Sequence, residues 1–285
     1  MEAALFSART QNALRFWEND SAFMLNYIRL KKIDSSNTYS LSLLNEAAKN
    51  GEVRSLEKNV IVVEEQSAGR GRINRNFFSP PKTGLYFTAI YAPPFPIENS
   101  AKLTILAALA VCRALQKLFG IPALIKWVND IYVDGKKVCG ILAEGHVDSR
   151  SQKIDAAVIG IGINILAKNF PEEIQKKAGA IFQDESQVPE INSLKEKLLS
   201  EVCENLYALY DSTSENSAAY GEALSEYKSR SFLIGRRVKV FPLVGDENSF
   251  FAEVLDIDDE ARLVVRTDDG NILRLESGEV STEFF

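Results

Sequence analysis

From Gly235 onward the sequence consists of short runs in which apolar and polar residues alternate: RRVKVFPL, SFFAEVLDID, ARLVVRTDD and NILRLESG, joined by turn residues such as Asp269-Gly270. A period of two places every second side chain on one face, so each run suits a half-buried strand and none suits a helix. Residues 235–285 are therefore expected to form a small barrel-like domain, set apart from what precedes it. The boundary is expected near 230–235, which divides the chain into a large domain over 1–233 and a small one over 234–285.

The upstream part mixes two periods. Residues 34–50, DSSNTYSLSLLNEAAKN, start with capping types, carry Leu41, Leu44 and Ala48 at helical spacing and stop before Gly51. NVIVVEE (59–65) and GLYFTAIYA (84–92) read as buried strands, the second closed by Pro93 and Pro94. Residues 99–119 form an apolar helix capped by Asn99 or Ser100 and ended by Gly120 and Pro122. Asp134-Gly135 lies between two β-rich runs, a strong hairpin signal, and AAVIGIGINI (156–165) is another core strand. Leu194, Leu198, Val202 and Leu206 recur every four residues behind a Ser193-x-x-Glu196 capping box, predicting a long amphipathic helix, and a second helix follows over 217–230.

Composition excludes several classes. A net charge of -6 with no basic stripe argues against nucleic acid as a partner, because that affinity comes from neutralised phosphates. Cys112, Cys139 and Cys203 lie far apart in apolar surroundings, which suits reduced core thiols, and the single His146 has no companion for a metal site or a triad. No metal site is expected. The N-terminal segment lacks the pattern of a signal peptide, and the apolar stretches fall short of a membrane span, so a cytoplasmic location is expected.

One segment reverses the overall charge. Between Gln66 and Ile97 there is no acidic residue, while Arg70, Arg72, Arg75 and Lys82 are basic and Gly69 and Gly71 interleave with the arginines in AGRGRINRNFFSP (68–80). Glycines let a backbone approach a ligand, and guanidinium groups grip phosphate or carboxylate, although composition alone fits a solvated loop equally well. KWVND (126–130) sets Lys126 between Ile125 and Trp127, where a partly desolvated ammonium favours an anion; a surface lysine is the plainer alternative. GIGIN (160–164) sits inside a strand with no following helix, so it fails as a dinucleotide fingerprint; glycines for close packing and a functional strand are equal readings of it.

Taken in order, DSSN, EEQSAGRGRINRNFFSP, GLYFTAI, KWVNDIYVDGKKVCGILAEG and VIGIGIN closely resemble the biotin-protein ligase family, with a fainter continuation through YKSRSFLIGRRVKV to LESGEVS. The resemblance implies an α+β fold: a mixed-sheet catalytic domain of the class II aminoacyl-tRNA-synthetase-like, biotin–lipoate ligase kind, plus a small C-terminal SH3-like β-barrel. It implies that biotin and ATP, with Mg2+, form biotinyl-5'-AMP, and that biotin then passes to a lysine of a biotin carboxyl carrier protein of acetyl-CoA carboxylase or another biotin-dependent enzyme. Lys126 and Arg72 would be catalytic. Ser35, Ser36, Asn37, Gln66, Arg70, Gly71, Arg72, Lys126 and Gly140 would bind biotin. Gly69, Arg72, Arg75, Phe77, Asn129 and Asn164 would bind ATP or the adenylate. Asn74 replaces a common glycine, and Ser36 a common threonine that likewise carries a hydroxyl. Only 33 residues precede Asp34, which points to a ligase without the winged-helix domain some members carry, monomeric or homodimeric. A lipoate or octanoate ligase of the same fold, or a non-catalytic binding protein, is the alternative.

Overall fold

The computed structural model describes residues 14–15, 24–73, 75–97, 99–168, 170–188, 190–241, 249–276 and 279–281. Asn74 and most of the N-terminal segment lie outside them. The chain runs through β1 (Leu14–Arg15), β2 (Asn26–Ile33), α1 (Ser36–Lys49), β3 (Asn59–Gln66), β4 (Gly84–Tyr91), α2 (Ser100–Phe119), β5 (Leu124–Lys126) and β6 (Asp130–Val133). It continues with β7 (Lys136–Val147), β8 (Ile154–Asn164), α3 (Glu172–Gln175), α4 (Ile191–Glu215), α5 (Ser217–Arg230), β9 (Arg237–Phe241), β10 (Phe250–Ile257), β11 (Leu263–Thr267), β12 (Ile272–Leu275) and β13 (Glu279–Ser281). Two compact units result: Met1–Glu98 with Val138–Ser200, and Asn99–Lys137 with Glu201–Phe285.

In the first unit the strand order is β1-β2-β3-β4-β8-β7, with β2 and β3 parallel and the other pairs antiparallel. Every residue of β4 is buried, as its near-continuous apolar run requires of a central strand. Helix α1 lies on this sheet, and its Leu44 joins Leu30, Ile61, Val63, Tyr86, Ile90 and Val158 in one apolar cluster. Strand β2 escapes the sequence reading because Arg29, Lys31 and Lys32 break its apolar pattern. Tertiary partners compensate two of those charges, Glu196 for Arg29 at 2.6 Å and Glu65 for Lys32 at 2.5 Å. The same contact corrects the capping box expected at Ser193. Helix α4 begins at Ile191, so Ser193 is already inside the first turn, and the Glu196 carboxylate is turned to Arg29 instead.

In the second unit α2 is buried along most of its length, as its alanine-rich sequence predicts. Asn99 caps it by accepting from the Ala101 N–H at 2.9 Å, and Gly120 ends it at φ 67°. Asp134 (φ 50°) and Gly135 (φ 73°) form the two-residue turn after β6, both at the positive φ such turns demand. The C-terminal strands form a five-stranded antiparallel sheet ordered β12-β11-β10-β9-β13, in which Val238, Val240, Ala252, Val254, Leu263 and Val265 are buried in alternation. Strand β13, three residues long, is too short to announce itself in sequence. All three cysteines are buried thiols outside any disulfide, and burial pushes the Cys112 thiol up to about 12.

Leu44 is fully buried where α1 meets the sheet. Leu44→Ala should lower unfolding stability by about 2–5 kcal/mol, measured by urea denaturation, through lost transfer energy and a cavity the rigid sheet cannot fill.

Candidate active site

The first unit gathers buried polar groups where α1 starts. Ser35 is the N-cap of α1, and Ser36 and Asn37 open its first turn; all three are at most 4% exposed. Such burial requires partners. Gln66, at the end of β3, supplies some of them: its Oε1 accepts from the Ser36 N–H at 2.8 Å and the Ser36 hydroxyl at 3.1 Å, while its Nε2 donates to Ser79 Oγ at 2.9 Å. Thr88, in the middle of β4, lies 2.7 Å from Ser36 Oγ and 2.8 Å from Asn37 Oδ1, so one hydroxyl spans both residues. Asn37 Nδ2 spends its two hydrogens on the Leu142 carbonyl at 3.0 Å and the Glu144 carboxylate at 2.8 Å, both on β7.

Thr88, Ser79 and Glu144 were not singled out in the sequence. A hydroxyl at the centre of LYFTAIY was the available signal for Thr88, and a lone carboxylate closing the apolar run of ILAEG was that for Glu144.

The basic loop is a small hairpin rather than an open arch. Gly71 N–H donates to the Arg75 carbonyl at 2.7 Å, Arg75 N–H to the Arg72 carbonyl at 3.1 Å, and Phe77 N–H to the Gly69 carbonyl at 2.7 Å. Its base is pinned by Ala68 N–H to the Asp34 carbonyl at 2.9 Å, beside the α1 cap. A side chain at Gly69 would strike the Phe77 carbonyl, so the hairpin requires glycine there. Arg70 forks onto Glu144, with contacts of 2.7 and 3.1 Å. Arg75 is exposed, and Gly71 and Arg72 are half-buried.

Strand β8 forms a flat floor because Gly160 and Gly162 bring no side chains to it. A Cβ at 160 would collide with Asn37 Oδ1, and one at 162 with the Phe77 ring. Gly140 on β7 stands directly across from Gly162. Phe77 is turned onto this floor, edge-on to Tyr86 at 6.4 Å, while its neighbour Phe78 leans on Phe170 at 6.5 Å. Asn164, at the end of β8, donates to the Gly179 carbonyl at 2.9 Å.

Lys126 and Asn129 belong to the second unit, where both are half-buried at the turn between β5 and β6. This turn is gripped from three elements. Phe232 N–H donates to the Ile125 carbonyl at 3.3 Å, Tyr227 of α5 donates its hydroxyl to the Val128 carbonyl at 2.9 Å, and the Trp127 indole N–H donates to the Ala261 carbonyl at 2.8 Å. Ala261 sits at φ 67° in the turn between β10 and β11, which Asp258 stabilises by accepting from the Glu260 and Arg262 N–H groups. Among the described residues no three His, Cys, Asp or Glu side chains converge as metal ligands.

The site thus combines a mixed sheet with a polar wall and a glycine–arginine hairpin, in a chain that also carries a small antiparallel sheet. Residues 30–164 match the Biotin/lipoate A/B protein ligase family and residues 233–282 the biotin protein ligase C-terminal domain, together well over half of the sequence. The chain belongs to this family. It is 30% identical over 219 residues to the bifunctional ligase/repressor BirA of Bacillus subtilis, covering 75% of this chain and 63% of that protein. It is 27% identical over 239 residues to the biotin–[acetyl-CoA-carboxylase] ligase of Mycobacterium tuberculosis, 82% of each. The biotin protein ligase of Aquifex aeolicus, solved with biotin and ATP, superposes with a TM-score of 0.66 at 26% identity, over 90% of this chain and 97% of that one.

Two substitutions test this geometry. Gly160→Ala should destabilise by about 1–3 kcal/mol, because the Asn37 amide is tied on three sides and cannot yield to a new methyl group. Combined with Asn37→Ala the loss should be well below the sum of the two single losses in urea unfolding; additive losses would mean the two sites do not touch. Trp127→Phe keeps most of the ring but leaves the buried Ala261 carbonyl unpaired, and should cost about 1–3 kcal/mol in the same assay.

Proposed function

We propose that this protein is a biotin–[acetyl-CoA-carboxylase] ligase, which activates biotin with ATP and transfers it to a lysine of a carrier domain. The buried wall of Ser36, Asn37, Thr88 and Gln66 at the head of α1 is the observation that carries this reading within a chain of this family. A ureido group offers one carbonyl and two N–H groups, and a wall of hydroxyls and amides meets both kinds where an apolar pocket would meet neither. Ser35, Ser36 and Gln66 take this role, with Asn37 holding the wall together.

In the first half-reaction a biotin carboxylate oxygen attacks the α-phosphorus of ATP; the mixed anhydride forms, the bond to the β-phosphate breaks and pyrophosphate leaves. Mg2+ would enter as part of the ATP substrate and would offset charge on its phosphates. In the second, the neutral ε-amine of the carrier lysine attacks the acyl carbon, the amide bond forms, AMP leaves and the proton lost from the amine passes to solvent. Negative charge grows at the α-phosphate in the first step, and fixed cations lower that barrier. Lys126 and Arg72 supply them. Gly69, Gly71 and Arg75 close over the phosphate, Gly140 lines the biotin tail, and Asn129, Asn164 and Phe77 serve the nucleotide. The carrier is a biotin-accepting domain of a carboxylase or decarboxylase, and the reaction runs in the cytoplasm. No described helix is long and apolar enough to cross a membrane.

Purified protein should catalyse biotin-dependent exchange of pyrophosphate into ATP and label a carrier domain, read by streptavidin blot; exchange driven by lipoate and not by biotin would overturn the reading. Lys126→Ala should lower the exchange rate by roughly thirty-fold to a thousand-fold, the effect of removing about 2–4 kcal/mol of transition-state stabilisation. Near-normal exchange in that variant would remove Lys126 from the chemistry.

A further inference from the structure

One acidic side chain, absent from the substrate roles above, touches the wall and the loop together. Glu144 is half-buried on β7, and its carboxylate accepts from Asn37 Nδ2 at 2.8 Å while pairing with both terminal nitrogens of Arg70. The first contact sets the orientation of the Asn37 amide, whose oxygen then meets Thr88. The second fixes the loop residue on either side of which Gly69 and Gly71 make their hairpin contacts. The pair with Glu144 occupies the edge of Arg70 formed by its two terminal nitrogens, a fork that is then committed to the carboxylate and not to a phosphate.

We propose that Glu144 is a positioning residue of the biotin site: it holds the glycine–arginine loop in register with the polar wall, and Arg70 acts through it rather than on the nucleotide. The proposal rests on the assignment of wall and loop to biotin. It predicts that the pair behaves as one element, because removing either partner breaks the same tie.

The test compares Glu144→Gln, Arg70→Gln and the double variant, each close in size to the residue it replaces. Both single variants should raise the KM for biotin about ten-fold, the loss expected for one charge-assisted contact, with the KM for ATP unchanged. The double variant should be no worse than either. Trypsin cleavage after Arg72 and Arg75 should quicken in all three, a readout that does not depend on activity. Glu144→Asp, which keeps the charge, should recover part of the biotin KM and slow the cleavage again. Wild-type biotin KM and cleavage rate in Glu144→Gln would overturn the proposal, as would an Arg70→Gln loss confined to the KM for ATP, or additive losses in the double variant. A wild-type enzyme without biotin-dependent exchange would remove the biotin reading instead, and the cleavage rates would then judge the tie alone.

Discussion

Asn37 can stand at the head of α1 only because residue 160 carries no side chain. Its amide oxygen occupies the space a Cβ of Gly160 would take, so the helix approaches the sheet more closely there than an alanine would allow. From this approach the rest follows in sequence. The amide reaches the Leu142 carbonyl and Glu144 on β7, its oxygen reaches Thr88 on β4, and Thr88 in turn reaches Ser36, which Gln66 holds from β3. Four elements of one unit are thereby tied by a polar network whose centre, Ser36, Asn37 and Thr88, is buried, and such a network stabilises a unique arrangement only when its members are satisfied. The polar groups left for a ligand are oriented before it arrives, which reduces the ordering that binding must impose.

In the second unit the same economy applies to a turn. Lys126 stands in a three-residue strand, too short to hold its own geometry, and the carbonyls of Ile125 and Val128 around it are held by Phe232 and Tyr227. Trp127 extends the grip to the turn between β10 and β11, where Glu260 also receives Asn99 and Lys102 from the start of α2. The C-terminal sheet thus contributes no candidate reactive group of its own, but its contacts end beside the lysine to which the chemistry is assigned. The compact unit that contains this sheet also includes α2, β5 and β6.

How far the sequence went depended on whether the relevant force was local. Periodicity and capping predicted α1, β3, β4, α2, α5 and the strands β9 to β12, because hydrophobic spacing, an N-cap and a left-handed glycine act within a few residues. The ordered motifs carried the family. Local rules failed at β2, whose charges are answered by Glu65 and Glu196 from elsewhere, and at Ser193, where helix α4 had already begun. The segment from Gln66 to Ile97 has no acidic residue in sequence, yet Arg70 lies against the carboxylate of Glu144, some seventy residues on. By itself the sequence determined most of the elements, the hairpin-forming glycines and the residue types of the wall, since each is set by a residue and its near neighbours. Only the tertiary structure decided that Thr88 and Glu144 join that wall, that Phe77 lies on Gly162 and that Trp127 reaches Ala261, because these pairings depend on which strands become neighbours and on how closely the missing side chains of β8 let them approach.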